Sequence, residues 1–211
     1  MPTVKMSIHR ALSELKTYAD KIEKSRQYTF VAAKRVQDDK ISGIAVEEVK
    51  NGIIGNYASA TALLENYRRI KSAIVQSNAK TIVKIGGKEY TVAEAIERKA
   101  SIHHSEKLLQ ALKYAWTRAT QAVDTENAKA AEGLERYLQS ILGEKDKRTP
   151  EDIEAHTKAY DKRTKWEVLD PCGISKKIET LEKEISDFKT EVDYVLSESN
   201  STTFVEIDFV D

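Results

Sequence analysis

The chain of 211 residues has few of the residues that cross-link or interrupt a fold. Its one cysteine, Cys172, excludes an internal disulfide and predicts a reduced, intracellular protein. It has only 8 glycines and 3 prolines, which argues against a loop-rich or all-β fold. The apolar runs fall far short of the roughly 20 residues needed to span a bilayer. Since Met1–Lys5 lead directly into an amphipathic segment, we expect no signal peptide. We therefore expect a cytoplasmic protein with no membrane partner.

The chain also lacks an excess of charge of either sign. Its 34 basic and 34 acidic residues cancel, whereas a protein that coats DNA or RNA is usually basic. We therefore expect no extended nucleic acid as a partner. The charged fraction of 32% is typical of helices that expose long polar faces and bury a narrow apolar stripe.

Helical periodicity dominates the first 80 residues. An amphipathic helix is predicted from about Ser7 to Ser25. Tyr28–Ala32 is ambiguous between strand and helix, and a polar loop is predicted at 38–43. In the second helix, residues recur every seven positions in two companion series: Val46, Ile53, Ala60, Tyr67 and Ile74, and Val49, Asn56, Leu63 and Ile70. This a/d seam predicts lengthwise packing of helices, in which Asn56 could fix the register.

Three further helices are predicted downstream. Thr91 and Glu94 form a capping-box pattern, and a heptad series follows from Ala95 to Tyr137. Gly143 is a plausible stop, and Thr149-Pro150 restarts a helix. The last helix begins near Asp170-Pro171 and carries one apolar stripe: Ile174, Ile178, Leu181, Ile185, Phe188, Val192 and Val195.

Residues 77–85 and 199–207 resemble each other, and each follows a long seam helix. In both, Asn near the helix end and a run rich in Thr, Val and Ile predict a helix that gives way to a strand. Gly86-Gly87 predicts a hairpin near 81–91. We expect the C-terminal strand at 203–208 to join that hairpin as a third strand.

These patterns predict a mainly α fold with long antiparallel, coiled-coil-like helices and a small two- or three-stranded β-sheet. A single domain is expected over residues 1–211. It comprises an N-terminal helical region (1–45), a helix-hairpin-helix core (46–143), and C-terminal helices with a closing strand (149–211).

This combination resembles the septicolysin-like family of small helical proteins, over about the C-terminal two-thirds of the chain. The matching residues are Arg68-Arg69-Ile70, Ser77-Asn78, Gly86-Gly87, Thr91, Ala95, Arg98 and Asn200 to Thr203. Ser201 stands where the family pattern has tryptophan, and the region 120–165 is expanded. The resemblance implies a helical oligomer and places no site on these residues.

No arrangement of residues predicts catalysis, a cofactor or a metal. Gly86-Gly87 lies in a hairpin and not at a strand-to-helix turn, so it does not indicate a phosphate loop. His103 and His104 are adjacent on a helix and are expected to point to different faces. Asp152 and His156 have i,i+4 spacing, for which a solvated helix face is the preferred interpretation over a metal site. Cys172, before a helix, is interpreted as a partly buried structural cysteine, with a nucleophile as the alternative.

One polar cluster suggests a ligand. Cations and a tyrosine on the second and third helices could clamp a phosphate and stack on a base: Tyr67, Arg68, Lys71, Arg98, Lys107 and Arg118. If the hairpin brings the two helices together, Tyr67 and Lys71 should lie near Arg98. The alternative is that Tyr67 belongs to the seam and the cations are solvated.

Two functions remain open. The first is a phage-encoded, non-catalytic homo-oligomer that sequesters a small anionic, nucleotide-like ligand in basic pockets between subunits, in the cytoplasm of a bacterial host. The second is a structural or assembly protein, such as a virion or scaffold component. The discriminating feature is whether the cations converge on a cavity. An enzyme, and a pore-forming toxin that uses residues 44–64, rank lower.

Overall fold

The computed structural model describes residues 3–145 and 148–210 and is 73% helical, which confirms the mainly α fold. In chain order the elements are β1 (Thr3–Ser7), α1 (Ile8–Lys24), β2 (Lys40–Ile41), β3 (Ile44–Ala45), α2 (Val46–Lys80), β4 (Ile82–Ile85), β5 (Lys88–Thr91), α3 (Val92–Leu142), α4 (Pro150–Thr164), α5 (Ile174–Thr202) and β6 (Phe204–Asp208). Among the described residues, no helix is long and apolar enough to cross a bilayer.

The chain divides into two compact units. The first comprises Met1–Ala100 and Asp187–Asp211, and the second comprises Ser101–Ser186. The single domain predicted for residues 1–211 stays a prediction.

The predicted helix starts and stops are confirmed, because each depends on a local hydrogen bond. At the start of α3, the Thr91 N–H donates to Glu94 Oε2 at 2.7 Å, and the Glu94 N–H donates to Thr91 Oγ1 at 3.1 Å. Donation from Thr91 also lowers the pKa of Glu94. Thr149 Oγ1 likewise accepts from the Asp152 N–H at the start of α4. Gly143 ends α3 with a positive φ of 75°.

The hairpin is confirmed, but the position of the C-terminal strand was predicted wrongly. β4 pairs with β5 across Gly86 and Gly87, whose φ values are 57° and 76°. β6 pairs instead with β1, in antiparallel register from Thr3 opposite Asp208 to Ser7 opposite Phe204. The physical reason is that residues 3–7 are a strand, so a second two-stranded sheet forms from the two ends of the chain.

The resemblance between residues 77–85 and 199–207 corresponds to one repeated local structure. At the end of α2, the Thr81 N–H donates to the Ser77 carbonyl at 2.9 Å, and β4 follows. At the end of α5, the Thr203 N–H donates to the Ser199 carbonyl at 2.9 Å, and β6 follows. We call these two helix-to-strand junctions the β4 corner and the β6 corner.

The connection between α1 and α2 is exposed. Residues 28–35 form neither helix nor strand, so the ambiguous segment Tyr28–Ala32 is an irregular one. The polar loop predicted at 38–43 includes β2 and the turn that joins it to β3, with Ser42 and Gly43 both at positive φ.

In the first unit, α2 packs on the sheet formed by the chain ends. The buried cluster consists of Met6, Ile8, Ala11, Ile70, Ile74 and Ile207. Asn66, only 5% exposed, completes this contact because its amide bonds both backbone groups of Val210, at 2.8 and 2.7 Å. A side chain thus occupies the place of a neighbouring strand beyond β6.

In the second unit, α4 lies against α3 at a glycine. The Tyr160 hydroxyl donates to the Ala130 carbonyl at 3.0 Å, and a Cβ placed on Gly133 would lie 2.5 Å from that hydroxyl. Asn127 adds a two-way bond with the backbone of Trp166. Gly133 therefore permits the close approach of the two helices.

Alanine at two helical glycines should have opposite effects on stability. Gly133→Ala should lower the free energy of unfolding by about 1–2 kcal/mol, since the new methyl group displaces Tyr160. The matched change Gly55→Ala, in a helix with open space around the site, should raise it by about 0.5–1 kcal/mol. Urea denaturation of both variants measures this, and stabilisation by Gly133→Ala would contradict the contact with Tyr160.

Candidate functional site

Arg98 lies against aromatic rings in the first unit. Its guanidinium carbon is 4.9 Å from the Phe188 ring centroid and 5.4 Å from that of Tyr90. The two rings also meet edge to face, with centroids 5.8 Å apart. Cation–π attraction of this kind stabilises packing of β5 and α3 on α5. Arg98 therefore has a structural role that the sequence did not reveal.

The three predicted site residues on α2 do not meet Arg98. Tyr67 is half-buried in the seam, whereas Arg68 and Lys71 are exposed. No hydrogen bond, ion pair or ring contact joins these three to Arg98 within the described part of the chain. The buried face of α2 packs instead on α1, β1 and β6.

The two remaining predicted residues lie on α3 in the second unit. Lys107 and Arg118 are both exposed, and their separation of eleven positions corresponds to about 16 Å along the helix axis. Their neighbour Lys113 binds Glu182 on α5 at 2.5 Å. Lys107 and Arg118 of one chain are therefore too far apart to clamp one small phosphate.

A mainly apolar groove of the second unit runs between α3 and α5. It has a volume of about 360 Å³ and is lined by Leu108, Leu112, Lys176, Lys177, Thr180, Leu181 and Glu184. Its lining combines three leucines with charged side chains, and such a mixture of apolar and charged groups is common at protein-contact surfaces. None of the six predicted ligand residues lines the grooves described here, in residues 3–145 and 148–210.

The histidines are distributed over separate places. The rings of His103 and His104 have centroids 3.9 Å apart, so the expectation that they point to different faces was wrong. Rotation about the side-chain bonds brings neighbouring rings together at the surface. His156 contacts the Tyr137 ring, at 6.4 Å between centroids, and the Asp152 carboxylate accepts from Thr149 Oγ1. No group of three or more potential metal ligands occurs among the described residues.

Cys172 is exposed, so its interpretation as a partly buried residue was wrong. It lies in the turn before α5. There the Asp170 carboxylate accepts from the N–H groups of Ile174 and Ser175, at 2.8 and 3.4 Å. A carboxylate therefore already occupies the helix N-terminus that could have stabilised a thiolate.

The predicted seam residues of α2 and α3 are less exposed to solvent than the residues around them, but most are only half-buried within one chain. On α2 the seam members from Val46 to Tyr67 are half-buried, and only Ile70 and Ile74 at its C-terminal end are fully buried. On α3 the members from Ile102 to Tyr137 are likewise half-buried.

Neither a known protein family, nor a curated protein, nor a solved structure matches this chain.

Two arginines should differ in their effect on stability. Arg98→Ala should lower the free energy of unfolding by about 1–3 kcal/mol, since it removes the contacts with Tyr90 and Phe188. Arg68→Ala, at an exposed position of α2, should change it by less than about 0.5 kcal/mol. Thermal denaturation of the two variants compares them, and equal melting temperatures would contradict the structural role of Arg98.

Proposed function

We propose that this chain is a non-catalytic structural or assembly protein that associates with copies of itself through its helical faces. The observation that carries this proposal is the small core of the second unit. Of its described residues, within 101–145 and 148–186, only Leu138, Ile178 and Ile185 are buried. A core of three side chains is too small to stabilise helices of this length, since stability depends mainly on apolar area removed from water.

The surface of the second unit supports the same proposal. Five large apolar side chains are between 48% and 89% exposed: Leu108, Tyr114, Ile141, Trp166 and Leu169. Leu108 also lines the groove between α3 and α5. Leu108, Tyr114 and Ile141 lie on α3 beside its half-covered heptad seam, and a second helix packed along α3 would cover them. A second copy of this chain would supply that helix.

Cytoplasmic assembly of a phage particle or scaffold is the setting that we propose for this protein. A charged exterior of both signs, with balanced net charge, suits association with copies of itself. The resemblance to the septicolysin-like family, which implies a helical oligomer, is in keeping with this.

The sequestering function is the second candidate, and one observation favours it. Arg68 and Lys71 are exposed one helical turn apart, beside the half-buried Tyr67, and no ion pair between described residues engages either cation. In an oligomer paired along α2, such cations would face the subunit boundary and could bind a nucleotide-like anion.

Charge placed on the α3–α5 groove should separate assembly from folding. Leu108→Glu should weaken self-association by about tenfold or more and leave the helical content unchanged, since Leu108 is 54% exposed in the single chain. Ile185→Asp should unfold the second unit, with a loss of about 3 kcal/mol or more, because Ile185 is buried. Glutamate at Ala122, an exposed position of α3, is the matched control.

Sedimentation equilibrium over a range of concentrations measures the association, and circular dichroism measures the fold. If Leu108→Glu and Ala122→Glu associate as the unaltered protein does, the groove is not the contact. If the unaltered protein is a monomer at every concentration, self-assembly itself is wrong.

The ligand candidate has its own test. An anion that copurifies with the oligomer should show in native mass spectrometry as extra mass of a few hundred daltons per site. Arg68→Ala should abolish that mass and preserve the oligomer. Retention of the full mass in the variant would remove Arg68 from the site.

A further inference from the structure

The connection between α4 and α5 presents apolar side chains to solvent. Residues 165–170, which we call the α4–α5 segment, form neither helix nor strand. Leu169 is 89% exposed, more than any other large apolar side chain in the described part of the second unit, and Trp166 is 52% exposed. Its own chain therefore leaves most of this apolar surface in water, where it is costly.

The α4–α5 segment is held in place at both ends, although it lies at the surface. At its start, the Trp166 N–H donates to Asn127 Oδ1 at 2.8 Å, and Asn127 Nδ2 donates to the Trp166 carbonyl at 3.1 Å. At its end, the Asp170 carboxylate accepts from the Ile174 N–H at 2.8 Å. A segment that is already fixed loses little conformational freedom when it binds a partner.

An apolar groove in the same unit is open to a partner. The groove between α3 and α5, of about 360 Å³, is lined by Leu108, Leu112 and Leu181. Leu108 is 54% exposed, so the groove is not filled by its own chain. In particular, the exposure of Leu169 shows that the α4–α5 segment of the same copy does not lie in it.

The charges that line the groove are carried by α5. Lys176 and Lys177 lie in its first turn, and no ion pair between described residues engages either ammonium group. Glu184 lines the groove two turns further along. Beside the groove, Lys113 and Glu182 pair with each other at 2.5 Å. The lining therefore offers two cations and one carboxylate.

The α4–α5 segment carries charges that can pair with those of the groove. Glu167 lies between the two exposed apolar residues, and no ion pair between described residues engages its carboxylate. The only cation of the segment is Lys165. Its last carboxylate already bonds the start of α5. Each free charge of the segment thus has an opposite charge available in the groove.

The segment and the groove are neighbours on one surface. The α4–α5 segment ends four positions before Ile174, where α5 begins, and the groove residues of α5 all lie within its first three turns. A twofold contact uses the same surface patch of both copies. In such a contact, each copy can place its segment in the groove of the other, so two equal contacts form at once.

We propose that the α4–α5 segment of one copy docks in the α3–α5 groove of a second copy, and that the reverse contact forms about a twofold axis. Trp166 and Leu169 would cover the leucines of the groove, and Glu167 would pair with its lysines. This inference rests on the proposed self-association and names the part of the second copy that fills the groove. Helical packing along the rest of α3 is a separate contact.

Serine at the most exposed position of the segment tests the proposal. Leu169→Ser should weaken self-association by about tenfold or more, because each twofold contact loses two buried leucines. Val36→Ser is the matched control because Val36 is 94% exposed and lies in the first unit, outside both the segment and the groove. It should leave the association constant within about twofold of the unaltered value. Sedimentation equilibrium measures both, and circular dichroism should show unchanged helical content.

A mixture of two variants tests whether segment and groove meet between copies. Leu169→Ser keeps the groove but lacks the docking side chain, whereas Leu108→Glu keeps the side chain but alters the groove. A mixed dimer retains one intact contact, and neither variant alone retains any. The mixed dimer should therefore form about tenfold or more tightly than either variant dimer, since a contact already lost to one substitution loses little to the second. Native mass spectrometry distinguishes the three dimers by mass.

Two results would overturn the docking of the segment. They are equal association of Leu169→Ser and Val36→Ser, and a mixture of Leu169→Ser with Leu108→Glu that shows no excess of the mixed dimer. If Leu108→Glu alone still weakens association in that case, the proposed function stands and another element fills the groove. A protein that is monomeric at every concentration would overturn both.

Discussion

The fold depends on one hydrogen bond that is made twice. A threonine at the end of a long helix, Thr81 or Thr203, turns its carbonyl toward the first N–H of another helix. This bond fixes the angle at which a strand leaves one helix and a second helix begins. In the β4 corner the two strands are linked by Gly86-Gly87, and in the β6 corner they come from opposite ends of the chain. In the β6 corner the two strands are therefore held together by hydrogen bonds alone, whereas in the β4 corner a turn also joins them.

Outside the two corners, few residues of the same chain pack against the long helices α2 and α3. Only the C-terminal end of the α2 seam is fully buried, and the described part of the second unit buries three side chains. A narrow apolar stripe on a highly charged helix suits packing against another helix. The cations proposed for ligand binding lie at the surface or, in the case of Arg98, against aromatic rings. This arrangement gives assembly a firmer physical basis than capture of an anion within one chain.

Features that depend on neighbouring residues were predictable. The capping box at Thr91, the stop at Gly143 and the turn at Gly86-Gly87 each reflect bonds or dihedral angles within a few positions. The pairing of residues 3–7 with 204–208 was missed because the two strands are about 200 positions apart. No turn joins them, so the sequence carries no local signal for the pairing of the kind that Gly86-Gly87 gives for β4 and β5. The aromatic contacts of Arg98 were missed for the same reason, since Phe188 is distant in sequence. The exposure of Cys172 depends on packing that periodicity does not describe.

Native mass spectrometry of the unaltered protein, purified gently from cells, tests self-assembly most directly. We predict a discrete oligomer whose mass is a whole multiple of 23.8 kDa and which dissociates on dilution. A monomer at all concentrations, with helical content intact, would contradict it, because the half-covered seams of α2 and α3 would then be stable in water without a partner.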